Sequence, residues 1–221
     1  MDILREKLER AGRILDFEVE EAAGEMMNTY LEELYRWNRA YNLVGRKTTW
    51  EGLVDHVVDS LTPLLYAKLF EEETEMLDLG AGAGLPGIPL YIIKGQLDMS
   101  LVEPVRKKNS FLRHVRRKLC LESLKVVTMR SEEMARSDEY LNEYERVFMR
   151  AVADPVRAIK LARPLLSSGG LLTLFLGKEP AEALSRRGKD PSRLGMQVEN
   201  MRSTKKVTGR DTYIAILKKA E

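Results

Sequence analysis

Apolar residues recur at helical spacing through residues 3–15, 18–37 and 50–70, the last segment broken around Pro63. Almost no alternating β-branched run lies among them, which predicts a helical extension over residues 1–70. The pattern changes at residue 75. Short apolar runs at 75–79, 99–103, 124–129, 146–149 and 171–176 are separated by stretches of helical character, among them 87–94, 105–120 and 155–166, with a short helical turn after 129. This alternation predicts a parallel sheet with helices on both faces. Beyond Gly177, a short helix at 180–187 precedes two extended segments, 197–203 and 213–218, joined through Thr208-Gly209. A helix-free connection predicts an antiparallel hairpin, because parallel neighbours need a crossover of roughly a dozen residues or more. The expected architecture is α/β and Rossmann-like: a seven-stranded, mostly parallel sheet ending in an antiparallel hairpin over residues 71–221, preceded by the helical extension.

The segment 76–87, Met-Leu-Asp-Leu-Gly-Ala-Gly-Ala-Gly-Leu-Pro-Gly, is a short apolar strand running into a glycine-rich turn and then a helix. Gly80, Gly82, Gly84 and Gly87 let the backbone turn tightly and approach a ligand, and Asp78 at the strand end can accept hydrogen bonds. Two ligand classes fit. From Gly82 the residues match G-x-G-x-x-G, the dinucleotide fingerprint; from Asp78 they match D-x-G-x-G-x-G, the pattern for S-adenosylmethionine (AdoMet). Both classes use an acidic residue at the end of the next strand to hold ribose hydroxyls, a place filled by Glu103. The terminal hairpin, and a helix that stops before Gly169-Gly170 and a buried strand, favour the AdoMet-dependent methyltransferase fold. A dinucleotide enzyme of this length would also need a substrate domain that the pattern does not show.

Charge is informative by its placement, since the net value is only +2. Between Val105 and Cys120 stand Arg106, Lys107, Lys108, Arg113, Arg116, Arg117 and Lys118 with no acidic residue. On a helix, Phe111, Leu112, Val115 and Leu119 share one side, while Arg106, Arg113 and Arg117 gather opposite. Lys205, Lys206 and Arg210 form a second basic group, and together these favour a polyanionic partner. With 221 residues, 44% of them hydrophobic, the chain can bury a substantial core. The single cysteine excludes an internal disulfide and suits a reducing compartment. The charged, heptad-like first ten residues do not resemble a secretory leader, and no uncharged apolar run approaches the ~20 residues that span a bilayer. A cytoplasmic protein without a membrane partner is expected.

The fragments Trp37-Asn38, Tyr41-Asn42-Leu43, His-Val-Val-Asp-Ser-Leu at 56–61, the glycine turn through Pro89, Lys107-Lys108 with Phe111-Leu112-Arg113, Arg-Ser-Glu-Glu at 130–133, Arg150-Ala151, and Pro164 through Gly170 occur in a specific order and spacing. In these the chain resembles the bacterial small-subunit ribosomal RNA methyltransferase G family, also called glucose-inhibited division protein B. The resemblance implies transfer of a methyl group from AdoMet to N7 of a guanosine in the 530 loop of 16S rRNA, with that RNA or the small ribosomal subunit as partner. It also implies cofactor contacts at Gly80, Leu85, Ser131, Glu132 and Arg150, to which the turn geometry adds Asp78, Gly82, Gly84 and Glu103. Lys107, Arg130 and Arg150 match basic positions at the family's active-site mouth, with Lys107 and Arg150 as substrate orienters. Arg113, Arg117 and Arg210 complete the expected RNA contacts. The family's usual Arg-His-Leu segment before the last strand is replaced here by Gly209-Arg-Asp-Thr-Tyr213. A small-molecule AdoMet methyltransferase and an NAD-binding module are the alternatives.

The proposed chemistry asks for no general base, because guanine N7 carries an in-plane lone pair and no proton. Accordingly no catalytic residue is assigned with certainty. Cys120 is read as structural, His114 as solvated, and His56 with Asp59 as helix packing or capping. Trp37 and Trp50 are expected to pack within the helical extension. No pair of histidines or cysteines has metal spacing, so no metal is expected, and the protein is expected to be a monomer.

Overall fold

The computed structural model describes residues 2–70, 74–95, 97–184 and 190–220. Three helices come first: α1 (Asp2–Leu15), α2 (Glu21–Tyr41) and α3 (Trp50–Ser60). Helix α2 outlasts its expected end and stops where Asn42 adopts a left-handed conformation, φ 54°. Asn38 then fixes the following loop, its amide donating to Gly45 O at 2.8 Å and accepting from Val44 N–H at 3.0 Å. The predicted helix through residue 70 breaks after Ser60 into two 3-10 turns, Thr62–Leu65 and Ala67–Phe70. Pro63, with no N–H and a ring that clashes with the preceding turn, accounts for the break.

The sheet strands are β1 (Met76–Leu79), β2 (Met99–Val102), β3 (Leu124–Val127), β4 (Tyr144–Met149), β5 (Leu166–Gly177), β6 (Met196–Ser203) and β7 (Thr212–Lys219), in spatial order 3-2-1-4-5-7-6. The first five run parallel; β7 pairs antiparallel with both β5 and β6. The remaining helices are α4 (Gly87–Lys94), α5 (Arg106–Lys118), α6 (Ser131–Met134), α7 (Pro155–Ala162), α8 (Lys178–Leu184) and α9 (Lys205–Thr208). Three boundaries correct the sequence reading. Helix α7 ends at Ala162, just before Pro164, and β5 begins at Leu166 instead of 171, with a register irregularity opposite β4. The hairpin connection holds one helical turn, α9, which is too short to act as a crossover. The distal end of the helix predicted over 180–187 lies outside the described residues.

Period-two alternation sends neighbouring residues to opposite sheet faces. Along β7, Ile214 and Ile216 join one core cluster and Ala215 and Leu217 the other; Met76 and Leu77 divide in the same way. The first cluster continues without interruption from α1–α3 into Ile88, Phe111 and Phe175, so the N-terminal helices share a core with one face of the sheet. Strand β1 lies between β2 and β4, where the chain order reverses direction across the sheet. A ligand crevice belongs outside the carboxyl ends of strands at such a point.

At the start of α4, Gly87 permits close packing on β2. A Cβ there would fall 2.4 Å from Leu101 Cδ2, 2.9 Å from Asp78 Oδ2 and 3.0 Å from Met99 Sδ. All three neighbours are buried. Gly87→Ala should therefore destabilise the protein by about 1–3 kcal/mol, read as a lower urea midpoint at unchanged slope. An unchanged midpoint would show that α4 can lift from the strand freely.

Candidate active site

Gly80 N–H and Ala81 N–H both donate to Val102 O at 2.9 Å, tying the end of β1 to β2. The turn then passes through Gly80, Gly82 and Gly84 at φ 83°, 59° and 87°. These glycines have different duties. A Cβ on Gly84 would meet Ile88 Cδ1 at 2.4 Å, whereas one on Gly80 would meet nothing within 4 Å. Gly80 and Gly82 form open floor of a cavity of about 410 Å³, also lined by Leu85, Lys108, Arg150 and Tyr213.

Two buried carboxylates hold this floor from below. Glu103 accepts from Gly82 N–H at 2.9 Å through one oxygen and from Val105 N–H at 2.8 Å through the other. Asp78 accepts from Gly87 N–H at 2.9 Å through Oδ2, while its buried Oδ1 has no hydrogen-bond partner among the described residues. Burial pushes the Asp78 carboxyl up to about 7, against the lowering effects of the Gly87 N–H and Arg150; Glu103 adds repulsion. From the helical extension, the buried Tyr30 hydroxyl donates to Ala83 O at 2.9 Å and fixes the far side of the turn. An orphaned carboxylate oxygen beneath an open glycine cradle fits a ligand bearing hydroxyl donors and positive charge, as AdoMet does.

The opposite wall comes from α3. His56 and Asp59, three residues apart, share a helix face. Arg150, directly after β4, donates through Nη2 to Asp59 Oδ2 at 2.8 Å and to His56 Nδ1 at 2.9 Å. Accepting at Nδ1 makes the imidazole neutral with its proton on Nε2. Burial, followed by the repulsion of Arg150 and Arg210, pushes His56 down to about 4. The next residue, Ala151, is a cavity-wall residue with φ 58°, a left-handed conformation uncommon for a residue with a side chain.

These two shifts oppose each other as pH changes. Folding lowers His56 from 6.5 to about 4, so the native chain binds fewer protons in that window and this contribution is lost as pH falls through it. Asp78 is raised from 3.8 to about 7, and its contribution is lost as pH rises through that range. His56→Asn should therefore gain stability relative to the wild type as pH drops from 8 towards 5. Urea midpoints of both proteins at several pH values measure this; a pH-independent gap would refute the neutral, buried imidazole.

The structure gathers some of the sequence-derived residues and separates others. Gly80, Gly82, Leu85 and Arg150 line the cavity, with Asp78 and Glu103 bonded to its turn. Gly84 faces Ile88 and Leu112 instead. Ser131 and Glu132 open α6 outside the cavity lining, and Glu132 pairs with Arg157 at 3.0 Å. Lys107 is exposed with its ammonium 5.6 Å from the Tyr41 ring, and its neighbour Lys108 is the one that lines the cavity. Arg113 bonds Asn109 Oδ1 and Val126 O, bracing α5 against β3. Arg117 and Arg130 are exposed, and Arg210 pairs with Asp55 at 2.8 Å.

Sequence reasoning overlooked Tyr30, counted Lys108 in the basic run without giving it a place in the site, and gave His56 and Asp59 only packing or capping duties. His114 is not simply solvated: it bonds the buried Glu33 at 2.9 Å, beside Lys118 at 2.8 Å. Cys120 is exposed, in a left-handed conformation just beyond α5. Trp50 packs on Tyr35 within the extension, as expected, whereas Trp37 touches not only Tyr41 but also Phe111 and His114 of α5. Among the described residues there is no cluster of three or more potential metal ligands, and no helix is long and apolar enough to cross a membrane.

Comparison with known proteins bears on the family and the fold. The chain matches the family model of rRNA small subunit methyltransferase G over residues 23–212. It is 34% identical to ribosomal RNA small subunit methyltransferase G of Geotalea uraniireducens over 195 residues, covering 86% of this chain and 85% of that one. The Burkholderia vietnamiensis protein of the same name is 31% identical over 185 residues, covering 84% and 81%. Among solved structures, a variant of MtNAS in complex with S-adenosylmethionine superposes with a TM-score of 0.59 at 17% identity, covering 96% of this chain and 83% of that one. A SAM-dependent methyltransferase from Aquifex aeolicus gives 0.54 at 15% identity, covering 69% and 86%. These structural likenesses establish the fold. With the family match spanning most of its length, the chain belongs to the rRNA small subunit methyltransferase G family and is an AdoMet-dependent methyltransferase.

Proposed function

We propose that this enzyme methylates N7 of a guanosine in the 530 loop of 16S rRNA, acting as a cytoplasmic monomer that needs no metal. The observation that carries this reading is the cavity itself: a glycine floor held by Asp78 and Glu103 faces a wall bearing Arg150 and Lys108, with no nucleophile or proton acceptor demanded by N7 chemistry. When bound, AdoMet supplies a methyl group already activated on a sulfonium sulfur. The chain's own work is to hold, orient and exclude water. Alignment of this kind is worth up to ~7–11 kcal/mol of barrier.

Asp78, Gly80, Gly82, Leu85 and Glu103 hold the cofactor at the turn; Gly84 keeps that turn packed, and Ser131 and Glu132, at the start of α6 outside the cavity lining, are assigned to the cofactor by the family resemblance. Arg150, in the cavity wall, contacts the cofactor and orients the base. Lys107, Arg117 and Arg130 present exposed cations to RNA phosphates, with Arg113 and Arg210 contributing from their bonded positions and Lys108 from the cavity wall. Residues 1–70 form the extension that buttresses the glycine turn through Tyr30, and residues 71–221 form the methyltransferase unit. RNA affinity should fall steeply between about 50 and 200 mM salt as phosphate counterions are released.

Purified protein, labelled AdoMet, and either free 16S rRNA or isolated small subunits provide the test. Label should appear in a single N7-methylguanosine, located by nuclease mapping and mass spectrometry. Label in small metabolites but in neither RNA substrate would overturn the reading in favour of small-molecule methylation.

A further inference from the structure

Guanine presents two acceptors on one edge, N7 and O6, whereas adenine presents N7 beside an amino donor. With N7 as nucleophile, O6 is the adjacent atom by which the enzyme can tell the two bases apart. A fixed N–H donor in the cavity wall would read it. Arg150 is suited to this because of how it is held. Both N–H groups of Nη2 are engaged, one by His56 Nδ1 and one by Asp59 Oδ2, and both acceptors belong to α3. Two acceptors on one nitrogen fix the rotation of the planar guanidinium. Among the described residues nothing hydrogen-bonds its Nη1 or Nε. The Arg150 and Asp59 side chains are only 15% and 13% exposed, and both, with His56, line the cavity. An ion pair with Asp59 alone would tie β4 to α3; the second acceptor adds orientation.

We propose that His56 and Asp59 are positioning residues that set the Arg150 guanidinium so that its free edge reads O6 of the target guanine, making the clamp a determinant of base specificity. This rests on the N7-guanosine reading. It predicts that damage to the clamp will erode discrimination as well as rate.

The test compares kcat/KM for RNA carrying guanosine at the target position with the same RNA carrying 2-aminopurine riboside, which keeps N7 but lacks O6. Wild type, His56→Ala, His56→Asn and Asp59→Asn are assayed, each checked for folding by its melting temperature with and without AdoMet. Intrinsic reactivity of the two bases is common to all four proteins and cancels when their preferences are compared. His56→Ala should reduce the guanosine preference by about 10- to 100-fold. His56→Asn, whose amide oxygen can take the place of Nδ1, should restore most of it. Asp59→Asn should also lower the preference, and it serves if His56→Ala does not fold. Equal losses on both substrates, leaving the preference at its wild-type value, would reduce the clamp to a structural tie and overturn the inference. Failure of the wild type to methylate the guanosine control at N7 would instead overturn the parent reading, and this one with it.

Discussion

Glu103→Ala should weaken AdoMet binding by on the order of 100-fold while leaving a folded protein. The carboxylate performs two tasks at once. Its oxygens hold the N–H groups of Gly82 and Val105, and in the proposed reading their remaining lone pairs accept from ribose hydroxyls. Removing it frees the glycine turn and deletes that ribose acceptor together. Loss of the two backbone bonds should itself lower stability by about 1–3 kcal/mol. Glu103→Gln should be intermediate, because its amide oxygen can serve one N–H while its NH₂ faces the other donor. Calorimetric titration with AdoMet and with S-adenosylhomocysteine measures the effect. Affinity within about twofold of wild type would remove Glu103 from the cofactor site.

Arg150→Ala carries the second large effect, and it should fall on the transfer step. Loss of one preorganised donor at a reacting centre typically costs about 100- to 1000-fold in rate. AdoMet affinity should change far less, since the bonds that fix Gly80, Gly82 and Glu103 run to Val102 and Val105 and not to Arg150. Arg150→Lys should not rescue, because an ammonium cannot bridge Asp59 and His56 while presenting a second planar edge. Single-turnover rates at saturating AdoMet separate the chemical step from binding. A variant with normal rate and weakened AdoMet affinity would make Arg150 a cofactor residue only.

The main architecture was legible because it rests on local patterns. Alternating apolar runs and helices announced the parallel strands, and the short final connection announced the hairpin even though it contains α9. Glycines 80, 82, 84 and 87 marked the turn, but the sequence did not separate those that pack, Gly84 and Gly87, from those that leave the floor open. What escaped was tertiary. His56 and Asp59 are readable as one helix face, yet their meaning depends on Arg150, 94 and 91 residues away, meeting that face. Tyr30 looks like an ordinary core aromatic until the Ala83 carbonyl is seen 53 residues on. His114 looked solvated because its partner, Glu33, belongs to a different helix. Nothing in the sequence pattern announced that Cys120, two residues past α5, would be exposed in a left-handed conformation.

The most direct measurement is a map of N7-methylguanosine in 16S rRNA from cells with and without this enzyme, complemented by the wild type or by Arg150→Ala. A cavity that delivers a methyl group to guanine N7 predicts one such modification in the 530 loop, absent from the deletion strain, restored by the wild type and severely reduced with the variant. Persistence of that modification at full occupancy in the deletion strain would contradict the assignment.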